Sequence, residues 1–385
     1  MKVAYLGKIQ LSDIDLSYLH EAQQLADMTY ILEINPRFSR GPAFNIARLH
    51  RRSGIFKAVD VYPEFARLKG FVDLDKCYVT NVSGRLWMLK SIWVYMLLVR
   101  FLIKGGFEVV HLTWPPNVYE WVLYLLRKKM VLTVHDPIPH TGGYGWVPLL
   151  RRWIAFRLVP KFIILNKAQR EDFINTCRLK DEQVIDSRLG CYTYLHTVVP
   201  QGAAQEGDSG GGYILFAGRI SPYKGLDYLL PAMEMVHTVC PDCRLVVAGG
   251  GNYHFDISRY KNLDYIDIRN RFIPDEELVG LIKGAAFLVC PYTDATQSGV
   301  VMSAYAFAKP VVATNVGGLP EMVVDGRYGM IVKEKDADAL AEAIVELWQN
   351  KEKIRFFSTH IKHDYSSGGD LSWAHIAKSL CQQII

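Results

Sequence analysis

Short continuous apolar runs alternate with segments of helical periodicity along the whole chain, and this alternation constrains the fold more than any other feature. In the amino half the runs are residues 2–6, 28–34, 107–112, 130–134 and 162–165. In the carboxyl half they are 213–216, 244–248, 263–268, 285–290, 310–314 and 329–332. An uninterrupted apolar run suits a strand buried on both faces, and a helix between two runs supplies the crossover that parallel strands require. Helical spacing is found at 16–25, 43–51, 275–282, 300–308 and 337–348. The expected class is α/β, with doubly wound parallel sheets.

A chain of 385 residues exceeds one ordinary core, so two domains are expected. Residues 199–212, VPQGAAQEGDSGGG, are small, polar and glycine-rich, as a linker is. This gives an amino-terminal domain at 1–198 and a carboxyl-terminal domain at 213–364. The net charge is only +5, which argues against a nucleic-acid partner. The seven cysteines are scattered, which suits a reducing cytoplasm rather than a disulfide framework. Cys240 and Cys243 form a lone CxxC with no second ligand pair, so no metal site is expected. The start, MKVAYLGKIQ, reads as a first strand and has no apolar signal core.

Two segments bear on membranes. Residues 85–104 are strongly apolar, but Lys90 and Arg100 interrupt them and the unbroken stretch falls short of the roughly 20 residues a span needs. Residues 149–161, LLRRWIAFRLVPK, interleave Arg151, Arg152, Arg157 and Lys161 with Trp153 and Phe156. That pattern suits an anionic bilayer surface, and equally an ordinary amphipathic helix.

The chemistry gathers after the strands of the carboxyl half. The run at 213–216 ends at Gly218, with Arg219 next and Lys224 five residues later. Open α/β sheets bind ligands at the carboxyl ends of their strands. Arg grips phosphate oxygens through its fork, and Lys acts as a point charge. In Asp294–Gly299, Ser298 suits an N-cap, and the free N–H groups of Gly299 and Val300 suit an anion. Gly249 and Gly250 allow close backbone approach at another strand exit, and Arg271-Phe272-Ile273 presents backbone groups to a nucleobase edge. No G-x-G-x-x-G follows a first strand, so a dinucleotide cofactor is not expected. In the amino half, His135 ends the strand VLTVHD and can donate to a sugar hydroxyl or sit as a structural residue.

The stretches ILFAGRISPYKGLDYLL, RLVVAGGG, FLVCPYTDATQSGVVMSAYAFAKPVVATNVGGLPEMV and DGRYGMIV together resemble glycosyltransferase family 4, the group 1 glycosyltransferases. VLTVHD, FIILNKAQREDF and SRLG match more loosely in the amino half. The resemblance implies the GT-B fold, two Rossmann-like domains facing a cleft, with a helix at 365–385 crossing back onto the amino-terminal domain. It implies a metal-independent hexosyltransferase, retaining in outcome, that takes a nucleotide diphosphate sugar and needs no other cofactor. Arg219 and Lys224 would bind the donor diphosphate, Gly299 and Val300 would head the donor helix, and His135 would face the transferred sugar. A glycan or lipid-linked acceptor would place the protein in the cytoplasm, at the inner face of the plasma membrane, in surface polysaccharide or glycolipid synthesis.

The sequence departs from the family in two respects, and the first is that its amino-terminal glycine-rich loop is absent after the first strand, where Gly7-Lys8-Ile9-Gln10 has one glycine. Two glutamates eight residues apart on the donor helix are replaced here by Ala295 and Ser303. Ser303 reaches less far than a carboxylate, so Gln297, Thr296 and Asp294 are the nearest groups left for ribose and sugar, with Ser303 kept as a weaker donor contact. The loss keeps open an inactive nucleotide-sugar-binding subunit. A sugar-nucleotide epimerase on the same fold would need a carboxylate pair that this helix lacks.

Overall fold

Two sheets carry the architecture, one in each of two units. A computed structural model describes residues 1–84, 87–137, 145–198, 212–366, 368–369 and 371–384. Met1–Leu189 and Trp373–Ile385 form the first unit, and Gly190–Ser372 the second.

The first unit holds β1 (Lys2–Lys8), β2 (Asp27–Ile34), β3 (Gly54–Lys57), β4 (Cys77–Asn81), β5 (Val109–Leu112), β6 (Met130–Val134), β7 (Lys161–Ile164) and β8 (Val184–Asp186). Among the described residues their order is β3-β4-β2-β1-β5-β6-β7-β8. Every pairing is parallel except β3 with β4, which is antiparallel. The two sheets are parallel as expected, and the antiparallel pair lies at the edge of the first. An edge strand has one neighbour, and the connection from β3 to β4 carries only the single turn α2 (Ala58–Val61) and short 3-10 turns, too little for a crossover back across the sheet.

Side chains alternate across this sheet. Ala4 and Leu6 join the core under α3 (Trp87–Lys104), the 3-10 helix Val118–Lys129, α4 (Trp146–Leu158) and α5 (Arg170–Cys177). Tyr5 points the other way, and its ring lies 5.3 Å from that of Tyr18 on α1 (Ser12–Leu25).

The second unit holds β9 (Tyr213–Ala217), α6 (Leu226–Val239), β10 (Leu245–Ala248), β11 (Ile266–Arg269), α7 (Asp275–Gly284), β12 (Ala285–Cys290), α8 (Gly299–Ala306) and β13 (Val311–Thr314). After these come α9 (Leu319–Met322), β14 (Gly329–Val332), α10 (Ala337–Gln349) and α11 (Lys351–Ile361). The sheet order among the described residues is β11-β10-β9-β12-β13-β14, with every pairing parallel. Phe216, Leu229, Val247 and Phe287 are wholly buried in its core. Cys240 and Cys243 lie in the same core, and burial raises the Cys243 thiol to about 12, so the CxxC is packing.

The expected domain boundaries shift. Residues 190–198 belong to the second unit because the Tyr192 N–H donates to Met302 O at 3.1 Å and Tyr194 Oη donates to Asp275 Oδ2 at 3.0 Å. Residues 365–372 also stay there, since Tyr365 is buried with its ring 4.7 Å from Tyr305 and 5.2 Å from Tyr328. Only α12 (Trp373–Ile384) returns to the first unit, where Trp373 packs edge-on against Tyr18 at 5.9 Å. Residues 199–211 of the expected linker lie outside the described residues, as do Arg85 and Leu86 at the head of the apolar helix.

Residues 43–51 are not helical. Their backbone groups bond at a distance. Ser12 Oγ accepts from the Ala43 N–H, Arg67 donates to Ala43 O, Asn81 Nδ2 donates to His50 O and Arg52 O, and Ser83 Oγ donates to Arg51 O. Those bonds satisfy the groups that helical spacing alone assigned to a local ladder. No described helix is long and apolar enough to cross a membrane.

Candidate donor site on the second unit

The site begins where β9 ends. Gly218 has φ +111°, and a Cβ there would lie 3.4 Å from Val300 Cγ2 in the first turn of α8. Gly249, at the end of β10, has φ +152°, and a Cβ would sit 1.9 Å from Gly218 O. Only glycine fits at that crossing. Gly250 continues it, with the backbone carbon of Arg271 3.2 Å from where a Cβ would be. Three strand exits therefore meet closely enough that their backbones touch.

Arg219 is exposed and Lys224 half-buried on the loop after β9. Neither has a carboxylate within ion-pair distance among the described residues. The loop is held to the exit of β12. Gly225, φ +68°, packs so closely on Pro291 that a Cβ would lie 1.7 Å from its carbonyl oxygen, and the Thr293 N–H donates to Tyr223 O at 2.8 Å. The Lys224 ammonium stands 3.7 Å from the centre of the Tyr292 ring. Burial is the main force lowering the Lys224 pKa to about 8, and Arg219 adds to it. Lys224 is thus mostly charged at pH 7, with an aromatic face and, among the described residues, no acid at ion-pair distance.

The loop before α8 is equally fixed. Thr296 and Ser298 are buried and Gln297 half-buried. Ser298 caps α8 by accepting from the Val301 N–H, and its own N–H meets Met322 Sδ at 3.3 Å. Gly317, φ +50°, leaves no room for a Cβ against Ala295 O. The Gly299 and Val300 amides head the helix at its positive end. The close approach at Gly299 is made by Tyr192, whose hydroxyl would be 2.9 Å from a Cβ.

Arg271 and Ser303 are placed differently. The Arg271 fork is closed on Glu277 at 2.6 and 2.7 Å, with Arg269 on the same carboxylate, so only its backbone lies beside Gly250. Phe272 is 74% exposed, and Ile273 is half-buried. Ser303 Oγ donates to Gly299 O at 2.9 Å, one turn back along its own helix.

His135 belongs to the first unit, just beyond β6. It is buried beside Trp114, with ring centres 6.1 Å apart, in a pocket also lined by Pro115, Asp136, Arg151 and Arg152. Burial lowers its pKa to about 4, against the opposing pull of Asp136 and a hydrogen bond with the Thr113 backbone. His135 is therefore neutral at pH 7. The guanidinium of Arg151 donates to the carbonyls of Pro115 and Pro116, and that of Arg152 to those of Asp136 and Pro137.

Residues 211–350 match the family model described as Glycosyl transferases group 1. A D-inositol 3-phosphate glycosyltransferase of Corynebacterium efficiens is 31% identical over 177 residues, covering 43% of this chain and 41% of that one. An MMP α-(1→4)-mannosyltransferase of Mycolicibacterium hassiacum is 24% identical over 362 residues, covering 87% of this chain and 83% of that one. The solved structure of Anabaena HepE in complex with UDP shares a TM-score of 0.67 at 16% identity, over 100% of this chain and 99% of that one. The likeness to the group 1 glycosyltransferases is therefore carried by residues 211–350. The fold of the chain is GT-B. The chain spans 40–41% of the length of the first curated relatives it matches.

The motif residues Gly218, Arg219, Lys224, Gly249, Gly250, Gly299 and Val300 lie on one strand-end rim of the second unit. Tyr292 and Tyr192 were missed from the sequence. Tyr292 lies 68 residues from Lys224 and Tyr192 more than a hundred from Gly299, and no spacing rule links either pair.

A second buried cluster was missed in the first unit. Lys8, the last residue of β1, bonds both Glu33 and Glu120. Tyr119 Oη donates to Glu33 at 3.0 Å and Tyr95 Oη to Glu120 at 3.1 Å. Burial pushes Glu33 up to about 7, while Lys8 and the Asn117 contacts hold Glu120 below the usual carboxylate range despite its burial.

Proposed function

We propose that this protein transfers a sugar from a nucleotide diphosphate sugar to an acceptor. The observation that carries the reading is the Arg219–Lys224 pair, two cations without a carboxylate partner among the described residues, beside the first turn of α8. Cations left unneutralised on a glycine-lined strand-end rim suit a diphosphate. UDP in the Anabaena HepE structure supports the same donor class, and the names of the sequence relatives support glycosyl transfer.

Each group then has a role. Arg219 and Lys224 would take the charge that builds on the leaving diphosphate, and the Gly299 and Val300 amides would add the positive end of α8. The Gly249–Gly250 exit and the Arg271–Ile273 backbone would hold the base, and Thr296 and Gln297 the ribose and sugar. Neutral His135 would donate a hydrogen bond to a sugar hydroxyl, with the first unit serving the acceptor. The reading extends to a hexosyl donor, retention, no metal or added cofactor, and a glycan or lipid-linked acceptor at the inner face of the plasma membrane.

Screening sugar nucleotides with a broad acceptor extract tests it. Turnover of one donor is expected, unaffected by EDTA and strongly reduced in Arg219→Ala and His135→Ala. A manganese requirement would remove the metal-free reading. Ala295, together with the commitment of Ser303 Oγ to Gly299 O, favours a second reading, a binding subunit without activity. Tight nucleotide binding with no turnover of any donor would establish that alternative.

A further inference from the structure

We propose that the outer face of α3, the 3-10 helix and α4 docks on an anionic lipid bilayer. These elements lie side by side on one face of the first sheet and share its core. Their opposite sides, which should be polar, are apolar. On α3, Leu89, Trp93, Met96 and Ile103 form an exposed stripe opposite the buried Val94, Leu98 and Leu102. The 3-10 helix exposes Trp121 and Leu125, the latter by 72%. On α4, Trp146 is 76% exposed and Leu150 and Trp153 stand beside it. Trp93, Trp121, Trp146 and Trp153 include every tryptophan that the described residues expose strongly. A soluble monomer rarely leaves so much contiguous apolar surface open, and tryptophan favours the bilayer interface.

Charge identifies the occupant. The three elements contain one acidic residue, Glu120, and it is buried on Lys8. Arg100, Lys104, Arg127, Lys128 and Arg157 are exposed, and none has an ion-pair partner among the described residues. Arg157 lies 4.3 Å from the Trp153 ring centre, an arrangement in which the ring enters the interface and the cation stays at the headgroups. A second copy of the chain would set these cations against each other across a two-fold axis, which disfavours self-association. An anionic bilayer complements both the charge and the apolar stripe.

The inference rests on the membrane-face location proposed above and not on sugar transfer. Residues 149–161 supply only part of the surface; α3 and the 3-10 helix extend it.

The full-length protein should sediment with phosphatidylcholine vesicles containing phosphatidylglycerol at low salt, and not with phosphatidylcholine alone. Its tryptophan emission should shift to the blue. Trp121→Glu combined with Leu125→Glu should weaken binding about tenfold or more, with UDP affinity unchanged. Arg127→Gln with Lys128→Gln, both exposed, should lower the salt concentration that releases the protein. Protein that binds UDP but no anionic vesicle at low ionic strength would overturn the proposal. So would a dimer that Leu125→Glu dissolves. Vesicle binding by protein that binds no nucleotide would leave this surface standing and remove the transferase reading.

Discussion

The ammonium of Lys224 stands over the face of the Tyr292 ring, 3.7 Å from its centre, with no carboxylate at ion-pair distance among the described residues. The ring's quadrupole favours the charge, while burial opposes it. The outcome is a lysine at about 8, balanced between its two forms within the working range of pH.

Nucleotide affinity should therefore depend on pH. A lysine whose pKa is lowered in the folded protein loses its proton as pH rises through 8, and a diphosphate prefers the charged form. UDP binding should weaken between pH 7 and 9, with proton uptake on binding above pH 8, both read by calorimetry in two buffers. Lys224→Arg should flatten the slope, since guanidinium stays charged. A flat profile in the unsubstituted protein would count against Lys224 as a phosphate contact.

Gly225 gives a stability test of the same loop. Alanine there meets both φ +68° and the Pro291 carbonyl, so Gly225→Ala should cost about 2–4 kcal/mol in urea unfolding of the second unit. Gly280→Ala, within α7 and with open space around it, should instead stabilise by about 0.5–1 kcal/mol. Equal effects from both substitutions would show that the loop yields easily.

Lys8→Met should destabilise the first unit by about 3–5 kcal/mol at pH 7, because Glu33 and Glu120 would be left buried without their cation. The sign of the pH effect follows. Carboxylates without Lys8 have raised pKa values, so the folded variant takes up protons as pH falls. The gap from the unsubstituted protein should shrink between pH 7 and 5.5, measured as the difference in urea midpoints.

Ser303→Ala should change UDP affinity by less than about twofold, because the hydroxyl is already donated to Gly299 O. A large loss would mean that the hydroxyl leaves its own helix when nucleotide binds.

Local pattern and tertiary contact divide what could be read in advance. Arg219, Lys224 and Gly249 were legible because each follows a buried apolar run, and strand ends are where such residues act. The parallel sheet of the second unit was legible for the same reason. Tyr292 under Lys224 was not, since the contact joins separate loops. Lys8, Glu33 and Glu120 are 25 and 112 residues apart and look like ordinary surface charges in sequence. The apolar spacing at 43–51 suggested a helix, but Ser12, Arg67, Asn81 and Ser83 bind its backbone instead. β3 was too short and too mixed to be seen, and with it went its antiparallel pairing with β4.

The return of α12 sets an order on synthesis. Trp373 covers Tyr18, and Lys161 Nζ donates to Gln383 O at 3.1 Å, so the first unit is completed by residues translated after the whole of the second. As the chain leaves the ribosome, the second unit has all of its residues before the first does. The nascent first unit must wait with the α1 side of its sheet uncovered while nearly two hundred residues are added. Chaperone contact during translation should then concentrate on α1, and should end when α12 emerges.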